Sequence, residues 1–351
     1  MSIFTAMTYT ILIASYLEPE HVDRIKMAAP QCEVIYEPEL IAIPRYPADH
    51  KGKSINRTPE QEQKWKSFLK RADILFDFDQ THLQDLPELA PNVKWMQATS
   101  SGIGQALHKL QYAERMPNTV FTLARGVHDQ PLAEFCLMVM MAFNKKLIHT
   151  LESQKKKHWA RFAGTDLRGK TIGIIGMGKV GQRVGQLCQC FGMKVLGVKR
   201  ETQGIKPSDV YADEIYNQSE LEKVLPRAEY LVLIAPHTPE TEKMIGEKQL
   251  LMLPKGAILI NIGSGALMDE QALIQVLQSG HLGGAGLDVF EVEPLPATSP
   301  LWEMPNVIVS PHSGSTSDKE NELITDIFCE NLKNYIEGKP LINVIDTKKM
   351  F

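Results

Sequence analysis

Short apolar runs alternate along this chain with longer stretches in which apolar residues recur at helical spacing. This alternation is typical of α/β proteins, so the pattern predicts that fold class. The apolar runs predict strands at Thr10–Ala14, Glu33–Tyr36, Ile74–Phe78, Val93–Gln97, Val120–Leu123, Thr171–Ile175, Lys194–Val198, Tyr230–Ala235, Ala257–Ile262, Gly284–Asp288 and Val307–Ser310. The periodic stretches predict helices that include Gln130–Lys157, Lys179–Phe191, Asp269–Gln278 and Lys319–Glu337.

Two segments stand out from this alternation. Pro44–Pro59 is rich in proline and charge and predicts a long loop, which is either functional or a solvated surface excursion. Phe135–Phe143 is apolar throughout but too short to cross a membrane, so it predicts a helix that is buried on all sides. The basic residues that end this helical stretch, Lys155–Lys157, suit the negative end of a helix dipole without any nucleic acid.

Composition narrows the class of protein. The 351 residues are enough for about two domains, and 43% hydrophobic with 23% charged residues is typical of globular proteins. A net charge of −4 gives no general attraction to nucleic acid or to an anionic membrane, so neither is predicted as a partner. Five scattered cysteines predict a reduced, cytoplasmic protein without disulfides or a metal site. The N-terminus lacks a basic region and predicts no signal peptide, and translation starts at Met1 or Met7.

A glycine-rich turn follows one predicted strand and precedes a helix. Gly176, Gly178 and Gly181 fit G-x-G-x-x-G inside a strand–turn–helix–strand unit, the context in which this spacing indicates dinucleotide binding. The first glycine allows the tight turn, the second lets backbone approach the pyrophosphate, and the third lets helix and strand pack closely. Lys179 and Val180 begin the helix, whose free N–H groups attract phosphates. The sequence therefore predicts a dinucleotide site.

The residues after the next strand bear on the choice of cofactor. An Asp or Glu about 20 residues beyond the glycines usually binds the ribose 2′-hydroxyl of NAD. This chain has Lys199 and Arg200 there, and Glu201 comes later. Two cations attract a 2′-phosphate, so the sequence favours NADP(H) and leaves NAD(H) open.

Six segments carry a resemblance to the D-isomer-specific 2-hydroxyacid dehydrogenases, with similarity to glyoxylate/hydroxypyruvate reductases. They are Thr99–Gly104, Arg125–Phe135, Leu167–Gly181, Ala235–Thr241, Asn261–Leu273 and Gly286–His312. The resemblance implies two Rossmann-like domains: a discontinuous, flavodoxin-like substrate domain (1–124 and 317–351) and an inserted dinucleotide-binding domain (125–316). It also implies a homodimer that forms through the cofactor domain.

The same resemblance implies the catalytic residues. His312 corresponds to the acid/base histidine, a residue type that exchanges protons near neutral pH. Glu293 corresponds to its carboxylate partner, which orients the ring and favours imidazolium. Asp288 corresponds to the residue that holds the nicotinamide carboxamide.

Further binding residues follow from the resemblance. The backbone around Ser101 and Gly102 corresponds to a loop whose N–H groups bind the substrate carboxylate. His237 and Thr238 correspond to a loop beside the cofactor phosphates, and Ile262 lies at another predicted cofactor contact.

One position departs from the family pattern. The family's catalytic arginine falls at Ser264, and serine cannot reproduce the planar fork of a guanidinium. Three hypotheses compete: an impaired dehydrogenase, an enzyme in which Arg125 supplies the missing cation, and a cofactor-binding sensor or regulator. Retention of Glu293 and His312 argues against the last.

The sequence as a whole predicts an NAD(P)-dependent oxidoreductase. We expect hydride transfer between NADPH and a small 2-oxoacid, giving a D-2-hydroxyacid, with activity reduced by Ser264. Loss of one transition-state donor costs about 10²- to 10³-fold in rate. The alternative is a catalytically impaired NAD(P)-binding homologue with a regulatory or binding role.

Overall fold

The computed structural model describes residues 8–347. The chain divides into two compact units: the first is drawn from Met1–Val127 and Thr316–Phe351, and the second is His128–Ser315. The predicted domain boundaries, after residues 124 and 316, fall close to these divisions and remain a prediction. The two alternative start residues, Met1 and Met7, lie outside the described residues.

The first unit is built on a five-stranded parallel sheet in the order β2-β1-β3-β4-β5. This is the order of doubly wound, flavodoxin-like sheets. The strands are β1 (Thr10–Ile13), β2 (Glu33–Ile35), β3 (Ile74–Phe76), β4 (Trp95–Gln97) and β5 (Val120–Thr122). The helices are α1 (Pro19–Ala28), α2 (Pro59–Arg71), α3 (Leu86–Leu89), α4 (Gly104–Lys109), α5 (Tyr112–Arg115) and, from the C-terminal part, α12 (Glu320–Ile336).

Apolar side chains cover both faces of this sheet. Trp65 and Leu69 of α2 belong to one fully buried cluster, and Phe328 of α12 belongs to the other. Phe328 stacks on Trp95 of β4 with ring centroids 4.8 Å apart. The C-terminal helix is therefore part of the core of the first unit, because burying such aromatic area is strongly favourable.

The second unit is built on a seven-stranded parallel sheet in the order β12-β11-β10-β9-β6-β7-β8. Its strands are β6 (Thr171–Ile175), β7 (Lys194–Lys199), β8 (Glu214–Asn217), β9 (Tyr230–Leu233), β10 (Ile258–Asn261), β11 (Gly284–Leu287) and β12 (Val307–Val309). Its helices are α6 (Asp129–Asn144), α7 (Leu147–Lys155), α8 (Lys179–Cys190), α9 (Leu221–Val224), α10 (Glu247–Met252) and α11 (Glu270–Gln278). The strand order reverses direction between β6 and β9, which is the ligand-binding switch point of Rossmann sheets.

The predicted α/β class with two Rossmann-like sheets is confirmed. Strand β8 is absent from the sequence prediction. Its four residues all keep partial solvent contact, and it lies at the edge of the sheet. A short edge strand does not produce the continuous apolar run by which buried parallel strands are recognised.

The prediction of a single helix over Gln130–Lys157 is wrong. The structure has α6 and α7, separated by Lys145 and Lys146, and Lys146 adopts a left-handed conformation with φ of 52°. The Lys146 N–H bonds to the Phe143 carbonyl, a tight turn that ends α6. Lys145 donates to the Thr165 carbonyl and pairs with Asp166 at 2.7 Å, so the chain turns where the apolar run stops.

The prediction that Phe135–Phe143 is buried on all sides is also wrong. Met138 and Met141 are 45% and 38% exposed, whereas Val139 and Met140 are fully buried. The helix therefore has one face in the core and one apolar face that its own chain leaves uncovered. Within residues 8–347, no helix is both long and apolar enough to cross a membrane.

Candidate active site

The predicted cofactor and catalytic residues of the second unit all follow the carboxyl ends of its strands. Because parallel strands point the same way, these ends lie along one edge of the sheet. The positions along this edge are Gly176 after β6, Lys199 at the end of β7, His237 after β9, Ile262 and Ser264 after β10, Asp288 after β11 and His312 after β12.

The glycine turn has the shape of a phosphate cradle. Gly176 has φ of 111°, and a Cβ there would lie 2.6 Å from the Ala235 nitrogen, at the switch point between β6 and β9. A Cβ on Gly181 would lie 2.0 Å from the Gly176 carbonyl oxygen, so helix and turn touch there. A Cβ on Gly178 would meet nothing within 4 Å. The turn is thus closed towards the protein and open at Gly178, beside the start of α8, where the sequence predicts that a pyrophosphate binds.

The two cations predicted to select the cofactor lie at the end of β7. The Lys199 ammonium donates to the Met177 carbonyl at 3.3 Å, which brings it to the glycine turn. A hydrogen bond from Thr238 lowers the pKa of Glu240, and the charge of Arg200 acts in the same direction. Lys199 thus borders the glycine turn, whereas the Arg200 carbonyl accepts from the Asn217 side chain at 2.6 Å, at the end of the neighbouring strand β8.

The loop after β9 contains the predicted residues His237 and Thr238. Thr238 is buried, and its N–H donates to the Thr241 hydroxyl at 2.8 Å. The Thr241 hydroxyl donates in turn to the Pro236 carbonyl at 2.7 Å. Two threonines thus lock this loop internally, at the same edge as the glycine turn. Ile262 is buried, and its N–H bonds to the Leu233 carbonyl at 3.1 Å.

His312 and Glu293 form a direct pair. His312 Nδ1 lies 2.8 Å from Glu293 Oε2, and the His312 side chain is 60% exposed. Glu293 Oε1 accepts a hydrogen bond from the Phe290 N–H at 3.0 Å, so the carboxylate is held at both oxygens. The arrangement fixes one ring nitrogen on the carboxylate and leaves Nε2 to exchange a proton with a bound molecule.

Asp288 holds the loop that carries His312. One carboxylate oxygen of Asp288, itself 1% exposed, accepts from the Ser313 and Gly314 N–H groups at 2.9 and 2.8 Å and from the Ser310 hydroxyl. His312 has φ of 55°, a costly conformation for a histidine that surrounding contacts must maintain. Asp288 therefore has a structural role towards His312, and its predicted contact with nicotinamide remains a prediction.

Ser264 uses its side chain locally. Its hydroxyl accepts from the Ala266 N–H at 3.3 Å, and Asn261 donates to its carbonyl at 2.8 Å. A Cβ on the next residue, Gly265, would lie 2.0 Å from the Phe290 carbonyl carbon. The turn after β10 therefore packs against the loop that supports Glu293, but it presents no cation there.

The first unit has its own row of residues at the carboxyl edge of its sheet. Ser101 and Gly102 are exposed in the loop after β4, where the Gly102 N–H bonds to the Ser100 hydroxyl at 3.1 Å. Arg125 follows β5, and the neighbouring Ala124 N–H donates to the Ser100 carbonyl at 3.4 Å. The structure thus brings Arg125 close to the loop of Ser101 and Gly102.

Arg125 lies in the first compact unit, three residues before the second unit begins at His128. Its carbonyl accepts from the Asn343 side chain at 3.0 Å, which ties it to the C-terminal part of the chain. Within residues 8–347, its guanidinium takes part in none of the ion pairs.

Sequence reasoning missed the supporting roles of Ser310, Ser313 and Gly314, although the SPHSG run around His312 signals a constrained loop.

The second unit therefore has the strand order, the glycine turn and the histidine–carboxylate pair of a dehydrogenase that binds a nicotinamide dinucleotide. A sequence profile described as the NAD binding domain of D-isomer specific 2-hydroxyacid dehydrogenases matches residues 137–314. The chain is 33% identical over 224 residues to D-3-phosphoglycerate dehydrogenase of Methanocaldococcus jannaschii, covering 61% of this chain and 41% of that protein. It is 32% identical over 301 residues to glyoxylate/hydroxypyruvate reductase B of Yersinia pestis (strain Pestoides F), covering 82% of this chain and 88% of that protein.

A solved structure shares the fold. It is the NADPH-dependent glyoxylate/hydroxypyruvate reductase of Sinorhizobium meliloti in complex with NADP and sulfate, with a TM-score of 0.77 and 24% identity over 98% of this chain and 100% of that one. The chain thus spans less than half of the first relative and most of the second. It belongs to the D-isomer specific 2-hydroxyacid dehydrogenases, a family of NAD(P)-dependent oxidoreductases. The predicted family is confirmed.

Proposed function

We propose that this protein reduces a small 2-oxoacid to a D-2-hydroxyacid with NADPH, and that Ser264 limits its rate. The observation that carries the proposal is the 2.8 Å pair of His312 and Glu293, at the same sheet edge as the glycine turn. A protein that only binds a cofactor has no need for an oriented acid/base histidine. The glyoxylate/hydroxypyruvate reductase relative supports the substrate class.

In this proposal the chain's own groups divide the work. His312 gives a proton to the carbonyl oxygen through Nε2, while Glu293 stabilises the imidazolium beforehand and holds the ring. The glycine turn and the start of α8 hold the pyrophosphate. When bound, the reduced cofactor supplies the hydride.

We propose NADPH as the preferred donor. Lys199 and Arg200 are suited to a 2′-phosphate, and the Sinorhizobium reductase with the same fold is an NADPH-dependent enzyme. Lys199 borders the glycine turn through its contact with the Met177 carbonyl. NAD(H) is the weaker alternative, because a carboxylate that would bind the ribose 2′-hydroxyl is absent from both positions.

We further propose that the N–H groups around Ser101 and Gly102 bind the substrate carboxylate. The hypothesis that competes with a rate limited by Ser264 is that Arg125 supplies the missing positive charge. Arg125 follows the strand beside this loop, and no ion pair among the described residues engages its guanidinium. A guanidinium without an acidic partner in its own unit is available to a carboxylate ligand.

A second function, cofactor binding in a regulatory role, is favoured by one observation. The Ser264 hydroxyl caps its own turn, so the position offers no donor to a substrate carboxylate. This alternative predicts cofactor binding without turnover.

We also propose a homodimer and a location in a reducing, cytoplasmic compartment. The dimer is supported by the apolar surface of the second unit: α7 buries none of its nine residues. A helix this short has only marginal stability in water on its own. We therefore expect a second copy of the chain to pack against it. The surface consists of Met138, Met141, Leu147, Leu151, Trp159 and Phe162, and Trp159 is 94% exposed.

The decisive experiment is a steady-state assay of the protein and of Ser264→Arg against a panel of 2-oxoacids, with NADPH and with NADH. Loss of one transition-state donor costs about 10²- to 10³-fold, so we expect arginine to raise kcat/KM by about 10²-fold. Ser264→Leu controls for bulk, and His312→Ala serves as the inactive reference. If the wild type is already fast and arginine adds nothing, Ser264 is not limiting, and Arg125→Ala tests the substitute cation. If every form binds NADPH and none turns over, the regulatory alternative is correct.

A further inference from the structure

Buried polar side chains gather at the carboxyl edge of the first sheet, next to the loop of Ser101 and Gly102. Ser15 follows β1, Asp77 follows β3 and Thr99 follows β4, and they are 1%, 2% and 6% exposed. His50 reaches this place from the Pro44–Pro59 segment, which the proposed function leaves without a role. We call these four residues the edge cluster.

His50 is held among polar groups. Its Nδ1 lies 3.5 Å from the Ser15 hydroxyl, and its Nε2 lies 3.8 Å from a carboxylate oxygen of Glu320 at the start of α12. The His50 and Glu320 side chains are only 11% and 8% exposed. Since Ser15 is buried, this serine–histidine–carboxylate series cannot reach a substrate as a nucleophile.

The Pro44–Pro59 segment is itself fixed, which places His50 firmly. The buried carboxylate of Asp49 accepts from the Arg45 side chain at 2.6 Å and from the Gly52 N–H at 3.1 Å. The Arg57 side chain donates to the Leu40 carbonyl at 2.7 Å. These contacts on both sides of His50 hold the segment against the unit as an ordered structure.

Asp77 connects β3 to the predicted substrate loop. It has φ of 66°, and one of its carboxylate oxygens accepts from the Thr99 N–H at 3.4 Å. Its other oxygen is buried without a hydrogen-bond partner among the described residues. Burial raises the pKa of Asp77, and the charge of His50 acts in the opposite direction. A buried carboxylate of this kind is stabilised by a nearby cation.

We propose that Asp77, supported by His50 on the neighbouring end of β1, is a positioning residue that holds Thr99 and thereby the carboxylate-binding N–H groups of Ser101 and Gly102. The Pro44–Pro59 segment then serves the substrate site through His50. This inference rests on the proposed function, because it gives the loop of Ser101 and Gly102 its role towards a 2-oxoacid.

The kinetic test uses Asp77→Asn, which keeps the shape of the side chain and tolerates the left-handed backbone. The loop binds the carboxylate in ground state and transition state alike, so we expect KM for the 2-oxoacid to rise about 10-fold with kcat within about twofold. His50→Gln should do the same, and the double variant should add little to either change, because the two residues act together. The matched control is Asp73→Asn, at the other end of β3, whose carboxylate accepts from the Thr10 N–H at 2.8 Å.

Hydrogen exchange provides a reading that needs no turnover. Backbone amides of residues 99–104 should exchange about 10-fold faster in Asp77→Asn and in His50→Gln than in the wild type or in Asp73→Asn. If the wild type turns over no 2-oxoacid, the proposed function fails, and the exchange rates alone decide the positioning role. Unchanged exchange in both variants overturns the proposal. That holds even if KM changes, because Asp77 would then act on the substrate and not on the loop.

Discussion

At the scale of residues, several polar groups of the second unit hold His312 in one position. Glu293 contacts the His312 ring at 2.8 Å, and Asp288 bonds the loop on which His312 sits. The left-handed backbone at His312 persists because these bonds over-determine it. Several bonds that position a single exposed ring are expected when that ring must approach a reacting atom in one orientation.

The proposed function also assigns the choice of cofactor to two residues, Lys199 and Arg200. We expect a Lys199→Ala, Arg200→Ala double variant to lose about 10-fold or more in NADPH affinity and to change little towards NADH, because only NADPH carries the 2′-phosphate. Fluorescence titration with each cofactor measures both constants. Lys194→Ala, which removes a cation at the other end of β7, is the control. Equal losses for the two cofactors would show that the cations do not select between them.

At the scale of elements, two glycines between β6 and the first turn of α8 have different roles in the proposed function. Gly181 allows the protein to pack, and Gly178 allows the cofactor to bind. A side chain at Gly181 collides with the Gly176 carbonyl, whereas a side chain at Gly178 points into open space. Gly181 is therefore required by the protein's own backbone, and Gly178 is required, in the proposed function, by the pyrophosphate that approaches it.

This contrast predicts opposite phenotypes. Gly181→Ala should lower the melting temperature markedly, since overpacking against backbone costs about 1–3 kcal/mol. Gly178→Ala should leave the melting temperature within a few degrees of wild type and weaken NADPH binding at least 10-fold, because its Cβ occupies the phosphate approach. Thermal melts and cofactor titration of both variants, side by side, test the assignment. Tight NADPH binding by Gly178→Ala would argue against the pyrophosphate position.

At the scale of the whole molecule, the proposed dimer forms through the apolar surface around α6 and α7. Met138 and Leu151 are 45% and 47% exposed, in a region whose core-facing residues are fully buried. Contiguous apolar patches of this kind mark association sites on otherwise soluble proteins.

Two substitutions that introduce negative charges test the proposed dimer. Met138→Glu with Leu151→Glu should convert a dimer into a monomer, because burying two carboxylates in an apolar interface is strongly unfavourable. Light scattering after gel filtration gives the mass directly. The control is Met27→Glu, which charges a residue of α1 that is 80% exposed in the first unit. A monomeric wild type, or a double variant that remains dimeric, would contradict the proposal.

The sequence alone determined the α/β class, most strands and the glycine turn of this protein. These features are local: buried parallel strands are continuous apolar runs, and G-x-G-x-x-G is defined by spacing within one strand–turn–helix unit. The family resemblance also located His312 and Glu293, which lie within its most specific segment.

Tertiary structure decided the rest. It ended α6 at Asn144, added β8 to the sheet edge, and left Met138 and Met141 exposed. It brought His50 to Ser15 and Asp77 to Thr99 at one edge of the first sheet, from separate segments of the chain. Contacts between residues far apart in sequence do not appear as a periodic pattern in the chain. They depend on the order of the strands in the sheet, which also determines which backbone groups still need a hydrogen-bond partner.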